Sequence, residues 1–170
     1  MTKISCFIAS SLDNYISGPQ DELDWLFQDQ DYGYSAYYDS VDCIVMGART
    51  YEVLSGFGDW PYPDKPCWIF SSSEEEHDSD NLHFVHGAPE KVIAKLEQAG
   101  YQHAWLVGGG RLIKTFRELD LIDDYILSWH PVLLGEGKPL FEATRCMQEL
   151  NLLSHTVYDS GLLQVHYSRR

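Results

Sequence analysis

Three consecutive glycines, Gly108-Gly109-Gly110, separate the apolar run Ala104-Trp105-Leu106-Val107 from a segment whose Leu112, Ile113 and Phe116 share one helical face. A glycine turn of this kind lets backbone amides approach a ligand closely, and the N-terminus of the following helix adds partial positive charge. Together they suit a phosphate. A second turn of the same design, Gly47-Ala48-Arg49-Thr50-Tyr51-Glu52, follows the apolar Val41–Met46, with Thr50 as a possible helix cap. A carboxylate comes from Glu22 to about Gln28, where the spacing predicts a helix. On a wheel of about 100° per residue, Leu26 lies about 40° from Glu22 and Trp25 about 60° to its other side. Glu22 therefore borders the apolar face, whereas Asp21 and Asp24 point toward solvent. His83 and His86, three apart on a predicted strand, face opposite sides and cannot chelate together, and no nucleophile elbow or P-loop is present. Metal and nucleophilic chemistry are set aside.

These residues need elements to hold them. Ile4–Ala9 reads as a buried strand ending at Ser10-Ser11, and Leu12–Pro19 as a loop with turn residues at both ends. Tyr32, Tyr34, Tyr37 and Tyr38 lie in an aromatic segment that could be a second short helix, lining a substrate pocket or covering the sheet. Val41–Met46, Cys67–Phe70, Leu82–Val85 and His103–Val107 read as strands, and Glu74–Asp80 as a solvated acidic loop. Pro89–Gln98 is an amphipathic helix stopped by Gly100. Ile122–Trp129 and Val132–Leu134 are strand-like, and Leu150–Asp159 with Leu162–Ser168 form a closing hairpin about Ser160-Gly161. Strands alternating with helices imply a mostly parallel α/β sheet, and the strand-rich end implies antiparallel edges on it.

The bulk properties narrow the partners. The 170 residues are 44% hydrophobic and 22% charged, which fits one domain spanning 1–170. A formal charge of −14 argues against nucleic acid and against anionic membranes, and no apolar run approaches membrane-spanning length. The chain enters a strand directly after Met1-Thr2-Lys3 with no signal peptide, and its four scattered cysteines form no CxxC pair. A reduced, cytoplasmic protein is expected.

The Gly47-Ala48-Arg49-Thr50 turn, Ser71-Ser72 at the next strand end and Val107-Gly108-Gly109-Gly110-Arg111 together resemble the dihydrofolate reductase superfamily. Ala9-Ser10-Ser11-Leu12-Asp13-Asn14-Tyr15-Ile16-Ser17 and Leu133–Phe141, which contains Gly135-Glu136-Gly137-Lys138-Pro139, resemble one branch of it. That branch is the reductase domain of bifunctional riboflavin biosynthesis proteins and its stand-alone relatives. The resemblance covers nearly the whole chain. It implies a twisted mixed sheet with helices on both faces and a nicotinamide dinucleotide across its carboxyl edge. It also implies a cis Gly108-Gly109 peptide, with pyrophosphate held by the amides of Gly110, Arg111 and Leu112. Gly47, Arg49, Thr50, Ser71 and Ser72 would flank the adenosine half. Asn14 belongs to a loop closing over the nicotinamide, which Ala9 and Ile16 would contact. Glu22 matches the superfamily acid in Glu22-Leu23-Asp24-Trp25-Leu26, and Ser128 falls where a hydroxyl stands near that acid. Beside Trp25 and Leu26 the acid would be partly desolvated, its pKa raised toward a useful proton donor. Trp25, Leu26 and Tyr51 would line the substrate pocket.

Two departures shape the reading. Ala48 stands where a cation for the 2′-phosphate of NADP is usual, which leaves Arg49 as the next candidate, so NADPH is favoured and NADH stays open. Glu74-Glu75-Glu76 near the adenosine end works against that phosphate if its loop folds inward. From Ile4 to Ala48 there are eight acids and no Lys or Arg, a poor setting for a phosphorylated sugar. Lys65 lies where true dihydrofolate reductases clamp the glutamate tail of folate. The leading expectation is an NADPH-dependent reductase of a small organic molecule such as a pterin or pyrimidine. In it hydride comes from the nicotinamide, and Glu22 supplies or relays a proton. Two others are a non-catalytic nucleotide sensor on the same fold and a genuine dihydrofolate reductase. Glu22 reads equally as an ordinary first-turn helix acid, Ser128 as a plain strand residue and Arg49 as a surface arginine. The resemblance also implies a homodimer.

Overall fold

The structure is a computed structural model that describes residues 1–72, 77–79 and 81–170. Its elements run β1 (Lys3–Ser11), β2 (Tyr15–Ser17), α1 (Tyr34–Ser40), β3 (Cys43–Gly47), α2 (Ala48–Ser55), β4 (Cys67–Phe70), β5 (His77–Ser79) and β6 (Leu82–Val85). They continue with α3 (Pro89–Gln98), β7 (His103–Gly108), α4 (Gly110–Glu118), β8 (Asp124–His130), β9 (Lys138–Pro139), β10 (Leu150–Val157) and β11 (Leu163–Arg169). Among the described residues one sheet has the order β10-β11-β8-β1-β7-β3-β4-β6-β5, and β2 pairs with β9 in a small second sheet. The block from β8 to β6 is parallel throughout. Antiparallel β5 lies on one edge and the β11-β10 hairpin on the other.

Periodicity decides which face each helix covers. Leu96 of α3 and Ile113 and Phe116 of α4 pack with Ile4, Cys6, Val45 and Leu106 on one face of the sheet. Tyr37 and Tyr38 of α1 and Tyr51 and Leu54 of α2 pack with Ile44, Met46 and Trp105 on the other. Helices therefore cover both faces, and each fully buried Leu, Ile or Phe contributes roughly 1.5–3 kcal/mol of transfer free energy. Parallel strands align their carboxyl ends, so Ser11, Gly47, Phe70, Gly108 and His130 terminate along one edge. The β2–β9 pair lies over this edge. Leu140 N–H donates to Asn14 O (2.8 Å), and Asp13 accepts the N–H groups of Leu134 (3.1 Å) and Gly135 (2.8 Å). Gly137, at φ +152°, meets Ser17 so closely that a Cβ would stand 2.2 Å from its carbonyl oxygen.

Four local expectations are corrected. Residues 22–28 form turns rather than a helix, because local bonds satisfy the backbone in another way. Asp21 takes φ +67°, Gly18 N–H donates to Glu22 O (3.0 Å), and Leu26 N–H reaches back three residues to Leu23 O (3.1 Å). Thr50 lies inside α2, whose N-cap is Gly47. Residues 132–134 form no strand, since Val132 N–H turns back to His130 O (2.8 Å) and Leu134 N–H goes to Asp13 (3.1 Å). Within the acidic 74–80 segment, His77–Ser79 pairs with β6, while Glu74, Glu75, Glu76 and Asp80 lie outside the described residues.

Candidate active site

The glycine turns meet at the carboxyl edge. The Gly108-Gly109 peptide is cis, and Gly108 takes φ +125°, a region that favours glycine. A Cβ on Gly109 would stand 3.5 Å from Thr50 Oγ1, and one on Gly47 would stand 3.9 Å from Gly108 O. The N-termini of α2 and α4 are thus neighbours, and neither carries a side-chain cap. Their first-turn amides, from Ala48, Arg49 and Thr50 and from Gly110, Arg111 and Leu112, flank one stretch of sheet edge. Gly110 is packed against the β9 segment, where a Cβ would lie 2.7 Å from Pro139 O and 3.8 Å from Glu142 Oε1. Val107 and Leu112 are partly buried in the two cores. Ser71, buried, and Ser72, exposed, follow the end of β4.

Arg49 is exposed and ion-paired with Asp21 (3.0 Å) and Glu52 (3.1 Å). Lys138 also reaches Asp21. The Lys138 ammonium, and after it the Arg49 guanidinium, hold the Asp21 carboxyl below the usual range. Asp21 therefore ties the loop after β2 to both β9 and α2, a contact that the sequence did not suggest. Asn14, at φ +64°, accepts from the Trp129 indole (3.0 Å), and Ile16 packs against the core.

Beside this edge lies a cleft of about 400 Å³ lined by residues that include Phe7, Ala9, Leu26, Phe27, Ser128 and His130. The parallel register puts Ala9 opposite Ser128, and the two-residue period of β8 returns the same face at His130. Ser128 Oγ accepts a hydrogen bond from Gln164 Nε2 (3.0 Å), and that amide also donates to Tyr32 O (3.0 Å). The hydroxyl proton of Ser128 is left for another acceptor. The His130 ring meets Trp25 at 5.2 Å and Phe27 at 4.9 Å, both edge-on, and burial pushes its pKa below the ordinary histidine value.

The predicted residues divide. Ala9, Leu26 and Ser128 line the cleft, and Trp25 stands behind His130. Tyr51 of α2 packs between Trp60 and Phe84 and does not line the cleft. Tyr32 and Tyr34 line the cleft, whereas Tyr37 stacks on Phe7 at 4.4 Å and Tyr38 packs toward Tyr62. Glu22 is exposed, its carboxylate accepting the Gln20 N–H (2.8 Å) and its carbonyl the Trp25 indole (3.2 Å). Glu22 does not line the cleft, and the helix that would have set it beside an apolar face is absent. Lys65 donates to Val41 O (2.6 Å) and stands 5.1 Å over the Tyr38 ring.

The sequence reading missed His130 and Gln164. The alternation Ser128-Trp129-His130 could have indicated the first, since it repeats the face of Ser128. The second depends on the pairing of β11 with β8, a long-range contact with no local signature. Among the described residues no cluster of three or more His, Cys, Asp or Glu could hold a metal, and no helix is long and apolar enough to cross a membrane.

Three comparisons bear on this geometry. The family description RibD C-terminal domain matches residues 2–164. Uncharacterized protein YwjB of Bacillus subtilis (strain 168) is 33% identical, covering 98% of each chain. Among solved structures, a putative riboflavin biosynthesis protein from Shewanella sp. PV-4 superposes with a TM-score of 0.90 at 32% identity, covering 99% of both chains. Dihydrofolate reductase from Enterococcus faecalis, complexed with NADP(H), gives 0.73 at 16% identity over 99% of this chain and 96% of that one, a likeness of fold.

Proposed function

From the chain's membership of the RibD C-terminal domain family, we propose an NADPH-dependent reductase of a small organic molecule. The observation that carries this reading is the meeting of two uncapped helix N-termini, α2 and α4, at adjoining glycine turns, with Gly110 packed too closely on Pro139 O to admit a Cβ. Such an edge offers several amide donors and two partial positive charges to a diphosphate, in a chain whose net charge otherwise repels it. Gly47, Thr50, Ser71, Ser72 and the amides of Gly110, Arg111 and Leu112 would hold the cofactor, with Arg49 the candidate for a 2′-phosphate. When bound, NADPH would supply a hydride from its nicotinamide. Val107, Gly108 and Gly109 shape the floor of the edge, while Asn14 and Ile16 keep the β2 segment over it and exclude water.

The cleft beside Ala9 presents the substrate, and Ser128 Oγ–H, oriented by Gln164, donates to it. Glu22 supplies a proton in this reading only by turning from Gln20 or by acting through water. Free cysteines, three buried and one exposed, fit a reducing cytoplasm. Exposed β10 fits a homodimer. The test is NADPH oxidation across a panel of pterins, pyrimidines and quinones, with Glu22→Gln alongside. Turnover that falls in Glu22→Gln with NADPH affinity retained supports both the reaction and the role of Glu22. A second reading, a nucleotide sensor without turnover, draws on the position of Glu22 outside the cleft. NADPH binding with no oxidation by any acceptor would favour it.

A further inference from the structure

The geometry points to a substrate without an anionic tail: we propose that the cleft takes an uncharged, planar heteroaromatic ring and discriminates against one bearing a phosphate or carboxylate. The proposal rests on the reductase reading for the fate of the ligand, though not for its binding. About 400 Å³ lies toward the lower end of small-molecule pockets and readily holds a one- or two-ring molecule. Phe7, Phe27 and Tyr34 supply flat apolar walls, which favour a ring that stacks. The polar groups are few. Ser128 Oγ already accepts from Gln164, so it faces a ligand as a donor, suited to a carbonyl oxygen or ring nitrogen. His130 is 3% exposed, with Nδ1 lying 3.3 Å from Ser128 O.

An anion finds no partner here. Among the described residues the lining contains no Lys or Arg, and it does contain Asp31. The chain from Ile4 to Ala48 has no cation at all. Three cations outside the lining are already held: Arg49 and Lys138 by Asp21, and Lys65 by Val41 O and the Tyr38 ring. A phosphate or carboxylate drawn into the cleft would lose water without gaining a countercharge, and it would meet Asp31 as a like charge. The two substrate types implied by the resemblance, a phosphorylated sugar derivative and a glutamate-tailed pterin, both lack a receptor for their charge.

Pterin and pterin-6-carboxylate share one fluorescent ring and differ by one ionised group, which makes them the probes. The full chain is titrated with each, with and without saturating NADP⁺, by quenching of ligand fluorescence. Pterin should bind at least roughly tenfold more tightly than the carboxylate. Gln30→Arg places a cation on the lining and should tighten the carboxylate by about fivefold or more while leaving pterin unchanged. Ser128→Ala should weaken pterin by about three- to tenfold with NADP⁺ affinity intact. Equal binding of the two probes, or binding of neither, overturns the proposal. If pterin is preferred while NADP⁺ does not bind, the cleft assignment stands and the cofactor reading falls. If NADP⁺ binds and neither probe does, the cofactor reading stands and the cleft assignment falls.

Discussion

Replacing Gly110 by alanine probes the cofactor edge at its tightest point. The new Cβ would stand 2.7 Å from the Pro139 carbonyl oxygen, roughly 0.7 Å short of the 3.4 Å at which ordinary contact begins. The obstacle is backbone, and β9 is pinned by its pairing with β2, so α4 must yield instead. Overpacking of this kind costs about 1–3 kcal/mol of stability. The same displacement carries the first-turn amides of Gly110 and Arg111 away from a bound diphosphate. A hydrogen bond to a charged group is worth about 1.5–3 kcal/mol, and losing a good part of one weakens NADPH about 5- to 30-fold. The assay is tryptophan fluorescence titration with NADPH, beside a thermal melt. Gly100→Ala is the control: at φ +87° after α3, with nothing within 4 Å, it costs about 1–2 kcal/mol through backbone strain alone. It should destabilise the protein without touching the dissociation constant. A folded Gly110→Ala variant that binds NADPH as the parent does would refute the placement of the diphosphate at α4.

Four further outcomes follow from other parts of the structure. Asp21→Asn frees Lys138 and leaves Arg49 only its Glu52 pair, and because exposed ion pairs are worth about 0–1 kcal/mol, NADPH affinity should rise by no more than about fivefold. Arg49→Ser should erase any preference for NADPH over NADH, and an unchanged preference in both variants would remove Arg49 from the account. His103 and His130 have pKa values lowered chiefly by burial, so the unfolded chain takes up protons near pH ~6.5 while the folded one does not. Stability should therefore be flat above that pH and fall as pH drops through it, as read by denaturant unfolding, with a shallower fall in His130→Gln; a rise on acidification would contradict the assignment. Finally, β10 pairs on one side with β11, and Leu152, Leu153 and Val157 are 54%, 55% and 71% exposed on it. Light scattering should find a dimer that Leu153→Lys dissociates, and a monomeric parent chain would exclude this interface.

What was legible in the sequence followed physical range. Period-2 and period-3.6 patterning is local, so β7, the Gly108–Gly110 turn, α3 and the closing hairpin could be read in outline. Pro89 and Gly100 bounded α3 because proline and a left-handed glycine act on their own residues. Glu22 shows the opposite case. Its wheel position presumed a helix, yet Asp21 in the left-handed region and a carboxylate bonded to Gln20 N–H leave the segment in turns. The competition between side chain and backbone for the same donors does not register in periodicity. Residues 132–134 were misread for a similar reason, since Asp13, more than a hundred residues earlier, takes the Leu134 N–H. The cleft was half legible: Ala9, Leu26 and Ser128 came from motif and pattern, whereas Gln164 reaches Ser128 only through the β8–β11 register.

The central claim is that this carboxyl edge holds a nicotinamide dinucleotide phosphate. Calorimetric titration of the full chain with NADPH tests it most directly. One saturable site per chain at submillimolar concentration, weakened in Gly110→Ala and retained in Gly100→Ala and Glu22→Gln, is the predicted result. Absence of saturable binding by the folded parent chain would contradict it.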